Sequence, residues 1–83
     1  MYKLLIVEDE EIIRWGLRNE IKWDEIGFEV IGEAENGKVA FDLITRLAPD
    51  AILLDIKMPL MNGIEFMSRV NSINPKIKIV ILS

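Results

Sequence analysis

The chain has 83 residues, of which 51% are apolar, and a formal net charge of −4. This length suits one small domain, and the apolar content excludes an intrinsically disordered chain. The acidic balance argues against direct nucleic-acid binding by this segment. Because the sequence contains neither cysteine nor histidine, disulfides and metal sites built on thiolate or imidazole ligands are excluded.

Membrane and secretory segments are not indicated. No apolar run approaches the ~20 residues that a membrane-spanning helix requires. The first residues also lack the basic start and apolar core of a secretory signal. We therefore expect a cytoplasmic location and no membrane partner.

The spacing of apolar residues predicts a strand and then a helix at the start of the chain. The first strand is predicted over Lys3–Val7, where four apolar residues in a row follow the lysine. Ile13, Leu17 and Ile21 recur every fourth residue, which indicates one face of a helix. Gly27 suits the tight turn that follows.

A second strand and helix are predicted next. Phe28–Ala34 alternates apolar and polar residues, with Glu29 and Glu33 on one side, which is typical of an edge strand protected by charge. Asn36 is a suitable N-cap for the second helix, and Pro49 ends it. The inner face of this helix is predicted to carry Val39, Ala40, Leu43, Ile44 and Leu47.

The remaining pattern predicts strand, helix and strand. Ala51–Leu54 is apolar throughout, as in a strand buried on both faces. Asn62 is the expected cap of a third helix, and Ile77–Leu82 forms the last strand. The inner face of the third helix is predicted to carry Ile64, Met67 and Val70. The β-α-β-α-β-α-β order with short connections predicts an α/β fold with a parallel sheet and helices on both faces.

Acidic residues follow two of the predicted buried strands. Glu8, Asp9 and Glu10 follow the first strand, and Asp55 follows Ala51–Leu54. The carboxyl ends of parallel strands form the edge where ligands of such folds bind. Grouped carboxylates repel each other unless a cation neutralises them, and their oxygen atoms suit Mg²⁺ or Mn²⁺. A carboxylate beside such an ion can also act as a nucleophile toward phosphorus.

A plainer interpretation of these acids stays open. Acids after strands are often solvated loop residues or helix caps. Asp9 or Glu10 could simply favour the start of the first helix through its dipole.

Three segments resemble the receiver domain of two-component response regulators. They are Leu5-Ile6-Val7-Glu8-Asp9-Glu10, Glu33-Ala34-Glu35-Asn36-Gly37 and Asp55-Ile56-Lys57-Met58-Pro59-Leu60-Met61-Asn62-Gly63. The resemblance covers the whole chain and implies a flavodoxin-like fold with sheet order 2-1-3-4-5. A further stretch, Arg14-Trp15-Gly16-Leu17-Arg18 with Trp23 and Gly27-Phe28, is similar to the receivers that are joined to AraC-type DNA-binding domains.

The resemblance implies roles for individual residues. Asp55 is expected to accept a phosphoryl group from a sensor histidine kinase. Asp9 would ligate Mg²⁺ directly, Glu8 would act mainly through a metal-bound water, and the backbone carbonyl of Lys57 would be a further ligand. Ser83 would be the hydroxyl switch that bonds the phosphoryl group. The output would be transcription, with DNA bound only through a separate output domain.

The resemblance also implies that part of a receiver lies beyond this sequence. A complete receiver continues with a fourth helix, a fifth strand ending in a lysine, and a fifth helix. We therefore expect residues 1–83 to be the N-terminal part of a receiver, with strand order 2-1-3-4 and impaired phosphorylation on its own. Ile77–Leu82 would then be an uncovered edge strand, through which we expect the chain to self-associate.

Two alternatives remain open. The chain could be an α/β fragment that folds by self-association and binds no metal. It could also belong to an Mg²⁺-dependent phosphohydrolase. That class usually needs a second acid two residues after the nucleophile, where Lys57 stands instead.

Overall fold

The computed structural model describes residues 1–55, the last of them by its backbone, and residues 63–82. The strands in this part of the chain form one parallel sheet in the order β2-β1-β3-β4. The elements are β1 Tyr2–Val7, α1 Glu11–Asn19, β2 Phe28–Ala34, α2 Gly37–Leu47, β3 Ala51–Asp55, α3 Gly63–Ile73 and β4 Lys78–Leu82. A 3₁₀ turn spans Trp23–Ile26. This is the predicted incomplete flavodoxin-like arrangement.

The central strands β1 and β3 divide the core into two layers. Successive side chains of a strand point to opposite faces of the sheet, so each strand contributes to both layers. One layer packs against α2 and α3 and contains Leu5, Val7, Ile52 and Leu54 together with Ala40, Ile44, Phe66 and Val70. The other layer contains Leu4, Ile6, Ala51 and Leu53, with Leu17 and Trp23 packed on it.

Helix α2 begins and ends where the sequence predicts. The Oδ1 atom of Asn36 accepts a hydrogen bond from the backbone N–H of Val39 at 2.9 Å, which confirms the N-cap. Ala40 and Ile44 are fully buried on the predicted inner face. The helix ends at Leu47, and Ala48 then adopts a left-handed conformation with φ of 47°.

Helix α1 is shorter than the apolar spacing indicates. It ends at Asn19, so Ile21 lies outside it and is exposed. In a longer helix, the N–H of Ile21 would bond to the carbonyl of Leu17. The indole Nε1–H of Trp23 donates to that carbonyl instead, at 2.7 Å. Trp23 therefore packs the turn as expected, and Gly27 follows it with a φ of 88°.

The inner face of α3 agrees with the prediction at Val70 and at Met67, which packs against the core, but differs at Ile64 and Phe66. Phe66 and Val70 are fully buried, one helical turn apart, whereas Ile64 is 78% exposed. The ring of Phe66 packs on Phe41 with centroids 5.0 Å apart. Because Phe41 projects from α2 toward this position, the contact selects the stripe through Phe66. The predicted cap, Asn62, lies outside the described residues.

Strand β2 pairs with β1 through a register shift. Lys3 lies opposite Glu29, whereas Ile6 lies opposite Glu33, with the irregularity between Leu4 and Leu5 of β1. An extra residue in one strand reverses the alternation of the side chains that follow it. Because Lys3 and Ile6 face opposite sides of the sheet, the prediction that Glu29 and Glu33 point the same way is wrong.

The opposite edge of the sheet is formed by β4, as the sequence predicts. Val80 is 55% exposed there, and Ile81 is also exposed. On α1, the apolar residues Ile12 and Trp15 face solvent as well. Among the described residues, no helix has both the length and the apolar character needed to cross a membrane.

Candidate acidic site at the carboxyl edge of the sheet

The two predicted acidic segments meet at one edge of the sheet. In the parallel pairing of β1 with β3, Val7 lies opposite Leu54. Glu8 follows Val7, and Asp55 follows Leu54 as the last residue of β3. Adjacent strands are about 4.8 Å apart, so the backbone at Glu8 and at Asp55 is held side by side. Asp55 also pairs with Leu82, the last residue of β4.

Glu8 is a buried acid, only 2% exposed, and both its backbone and its carboxylate form hydrogen bonds with neighbouring groups. Its N–H donates to the carbonyl of Ala34 at 3.0 Å. Its own carbonyl accepts from Nη1 of Arg14 at 2.8 Å, and its Oε2 accepts from the N–H of Glu10 at 3.1 Å. Burying a carboxylate is costly unless hydrogen bonds compensate it. The bond from the N–H of Glu10 provides such compensation for the carboxylate, whereas the other two bonds fix the backbone of Glu8.

The helix-capping interpretation applies only in part. Glu10 occupies the N-cap position of α1 with an extended backbone, but its side chain makes no capping hydrogen bond. Glu11 lies in the first turn, where a negative charge interacts favourably with the helix dipole. Asp9, which lies between Glu8 and Glu10 in the sequence, is half-buried. The absence of a capping bond does not test the interaction of Asp9 or Glu10 with the helix dipole, which stays a prediction.

An ion cluster beside the site was missed at the sequence level. Arg14 lies with its Nε 3.4 Å from Oε1 of Glu33, and Nη1 of Arg18 pairs with Oε2 of the same carboxylate. Arg14 and Arg18 are four residues apart on α1 and so share a face of the helix. That spacing was a usable signal, but it pairs them with Glu33 only once the register shift in β2 is known.

Part of the predicted site lies outside the described residues. This applies to Lys57, to Ser83 and to the side chain of Asp55. Within residues 1–55 and 63–82, there is no group of three or more acidic, histidine or cysteine side chains that could hold a metal ion. The oxygen donors of Glu8 and Asp9 nevertheless suit a hard cation such as Mg²⁺, which is usually bound by one or two carboxylates.

The comparisons with known proteins identify the family. The family model described as "Response regulator receiver domain" matches residues 4–83. The chain belongs to this family. It is 37% identical to the transcriptional regulatory protein YesN of Bacillus subtilis over 83 residues, which cover 100% of the chain and 23% of YesN.

Solved receiver structures agree with the fold. The receiver domain of AraT, a response regulator from Geobacillus stearothermophilus, is similar with a TM-score of 0.87 and 38% identity, over 96% of this chain and 62% of that one. A two-component transcriptional regulator AraC from Clostridium phytofermentans is similar with a TM-score of 0.88 and 31% identity, over 98% of this chain and 65% of that one. The receiver chain thus spans only part of these relatives. Other relatives are named chemotaxis protein CheY and protein-glutamate methylesterase, so several outputs occur among them.

Proposed function

We propose that this receiver accepts a phosphoryl group from a sensor histidine kinase on Asp55. The observation that carries the proposal is the position of Asp55, which ends a central strand beside the buried Glu8 in a chain of the receiver family. Relatives named as transcriptional regulators support transcription as the output. DNA would then be bound by an output domain outside this sequence.

In the proposed reaction, an oxygen of the Asp55 carboxylate attacks phosphorus. An O–P bond forms, the N–P bond to the kinase histidine breaks, and the released imidazole takes up a proton. Mg²⁺ would neutralise the charge on the transferring oxygens. Asp9 would hold the ion directly, Glu8 through water, and Lys57 through its carbonyl. The hydroxyl of Ser83 would donate to the phosphoryl group.

The phospho-acceptor can be tested in the full-length protein with a small phosphodonor and Mg²⁺. We expect Asp55→Asn to abolish incorporation that is sensitive to hydroxylamine, as an acyl phosphate is. Asp42→Asn is the matched control, because Asp42 is an exposed aspartate on α2 whose carboxylate pairs with Arg46 at 3.0 Å. Unchanged incorporation in Asp55→Asn would reject this assignment.

The relatives named above are mainly regulators, which makes turnover of a separate substrate unnecessary to explain the site. We therefore propose only that the receiver catalyses its own phosphorylation and dephosphorylation.

Millimolar Mg²⁺ should raise the melting temperature, because a ligand that binds only the native state stabilises it. A melting temperature that does not respond to Mg²⁺ would instead favour a fragment that binds no metal.

A second proposal concerns self-association of residues 1–83 through β4. It is supported by the exposed Val80 and Ile81 on an edge strand, since open strand edges pair readily with other chains. Light scattering should show association that rises with concentration. Val80→Lys should weaken it, whereas Ile64→Lys, which changes an exposed apolar residue on α3, should not. A monomer at high micromolar concentration would exclude this proposal.

A further inference from the structure

The backbone on both sides of Asp9 is held by side chains. The peptide group that joins Glu8 to Asp9 has its carbonyl bonded to Nη1 of Arg14 at 2.8 Å. The peptide group that joins Asp9 to Glu10 has its N–H bonded to Oε2 of Glu8 at 3.1 Å. Because each peptide group is planar, the orientation of these two planes sets φ and ψ of Asp9. The two bonds therefore fix the direction in which the side chain of Asp9 leaves the backbone.

Arg14 is itself held in place by Glu33. Its side chain is only 17% exposed, and its Nε lies 3.4 Å from Oε1 of Glu33. A guanidinium group presents several donors in a rigid plane, so it can bond to a carbonyl and approach a carboxylate at the same time. The register shift in β2 places Glu33 on the face of the sheet that α1 covers. A bulge at the edge of the sheet thus supports the loop after β1.

We infer that Arg14 is a positioning residue for Asp9, and that Glu33 anchors it. The inference rests on the proposed function, in which Asp9 ligates Mg²⁺. Groups that orient metal ligands without touching the ion typically change metal affinity by about 10–100-fold when removed. For Arg14, we expect a loss of about 10-fold in Mg²⁺ affinity.

Charge alone predicts the opposite result. Arg14 is a cation near a proposed cation site, so removing it relieves repulsion and should tighten Mg²⁺ binding. Arg18 carries the same charge on the same helix face and pairs with the same carboxylate, but it does not bond to the carbonyl of Glu8 in the described structure. Arg18 is therefore the matched control for the loss of charge and of the ion pair.

The experiment compares Arg14→Met, Arg18→Met and Glu33→Gln in the full-length protein. Isothermal titration with Mg²⁺ gives the affinity. Amide hydrogen exchange without metal reports on the N–H of Glu10, and thermal unfolding shows whether each variant is folded. We expect Arg14→Met to weaken Mg²⁺ binding about 10-fold and to speed exchange at Glu10. Glu33→Gln should act in the same direction but less strongly, and Arg18→Met should not weaken binding.

Two results overturn the inference. One is a folded Arg14→Met protein that binds Mg²⁺ as tightly as the wild type or more tightly. The other is equal weakening by Arg14→Met and Arg18→Met, which would assign the effect to the ion cluster as a whole. If the wild type binds no Mg²⁺, the proposed function fails separately. Exchange at Glu10 then decides whether Arg14 holds this loop.

Discussion

The register shift in β2 makes a specific prediction about two glutamates of the same strand. Glu33 contacts Arg14 and Arg18 on α1, whereas Glu29 makes no ion pair within the described part of the chain. Replacing each glutamate by glutamine keeps its size and removes its charge. We expect Glu33→Gln to lower the free energy of unfolding clearly, and Glu29→Gln to change it by no more than about 0.5 kcal/mol.

The size of the effect follows from the exposure of the partners. Arg14 and Glu33 are 17% and 26% exposed, so their pair is only partly screened by water. Arg18 is 45% exposed, and its pair contributes at the lower level of surface ion pairs, about 0.2–1 kcal/mol. Together with the stronger, more buried pair, this gives about 1–2 kcal/mol for Glu33→Gln.

Urea titrations are the suitable measurement, because urea is uncharged and leaves the ionic strength free to vary. A loss of about 1–2 kcal/mol lowers the midpoint by roughly 0.5–1.3 M when the slope is about 1.5–2 kcal/mol per M. In about 1 M salt the effect of Glu33→Gln should shrink, because the screening length falls to about 3 Å. Equal midpoints for Glu29→Gln and Glu33→Gln at low salt would refute the register shift.

Three further predictions concern the helices. Phe66→Ala should lower the free energy of unfolding by about 3–5 kcal/mol because it empties a fully buried site. Ile64→Ala, at an exposed position, should lower it by less than about 0.5 kcal/mol. Urea midpoints that fall equally for the two variants would contradict the inner face of α3. Asn36→Ala should cost about 1 kcal/mol by removing the N-cap bond of α2, measured in the same titration, and no change would argue against that cap. Ala48→Gly should raise the melting temperature, because alanine in the left-handed conformation is strained by about 1 kcal/mol and glycine is not. A lower melting temperature would contradict the φ of 47° at this position.

Local chemistry made some features predictable from the sequence. Asn36 is a strong capping residue and needs only the N–H of Val39, three residues away, to complete its bond. The continuous apolar stretches of β1 and β3 indicate strands buried on both faces, and the sheet order confirms this. For the same reason, the order of residues along the chain is enough to assign the acids after these strands to one edge of the sheet.

Contacts between elements decided the features that were predicted wrongly or missed. Periodicity placed Met67 and Val70 correctly on the inner face of α3, but it cannot decide whether Ile64 or Phe66 belongs to that face. The ring of Phe41, which comes from another helix, makes the choice. In the same way, the indole of Trp23 ends α1 before Ile21 by bonding to the carbonyl of Leu17.

The sequence by itself determined the family and the order of the elements, and it suggested Asp55 as the proposed phospho-acceptor, because these depend on short motifs and on runs of apolar residues. Only the tertiary structure showed that Glu33 contacts Arg14 of α1, and that Arg14 also donates to the carbonyl of Glu8. The physical reason is that a single extra residue in an edge strand turns all the following side chains to the opposite face of the sheet. The pairing of β2 with β1 reveals that extra residue, whereas the sequence pattern of β2 alone does not.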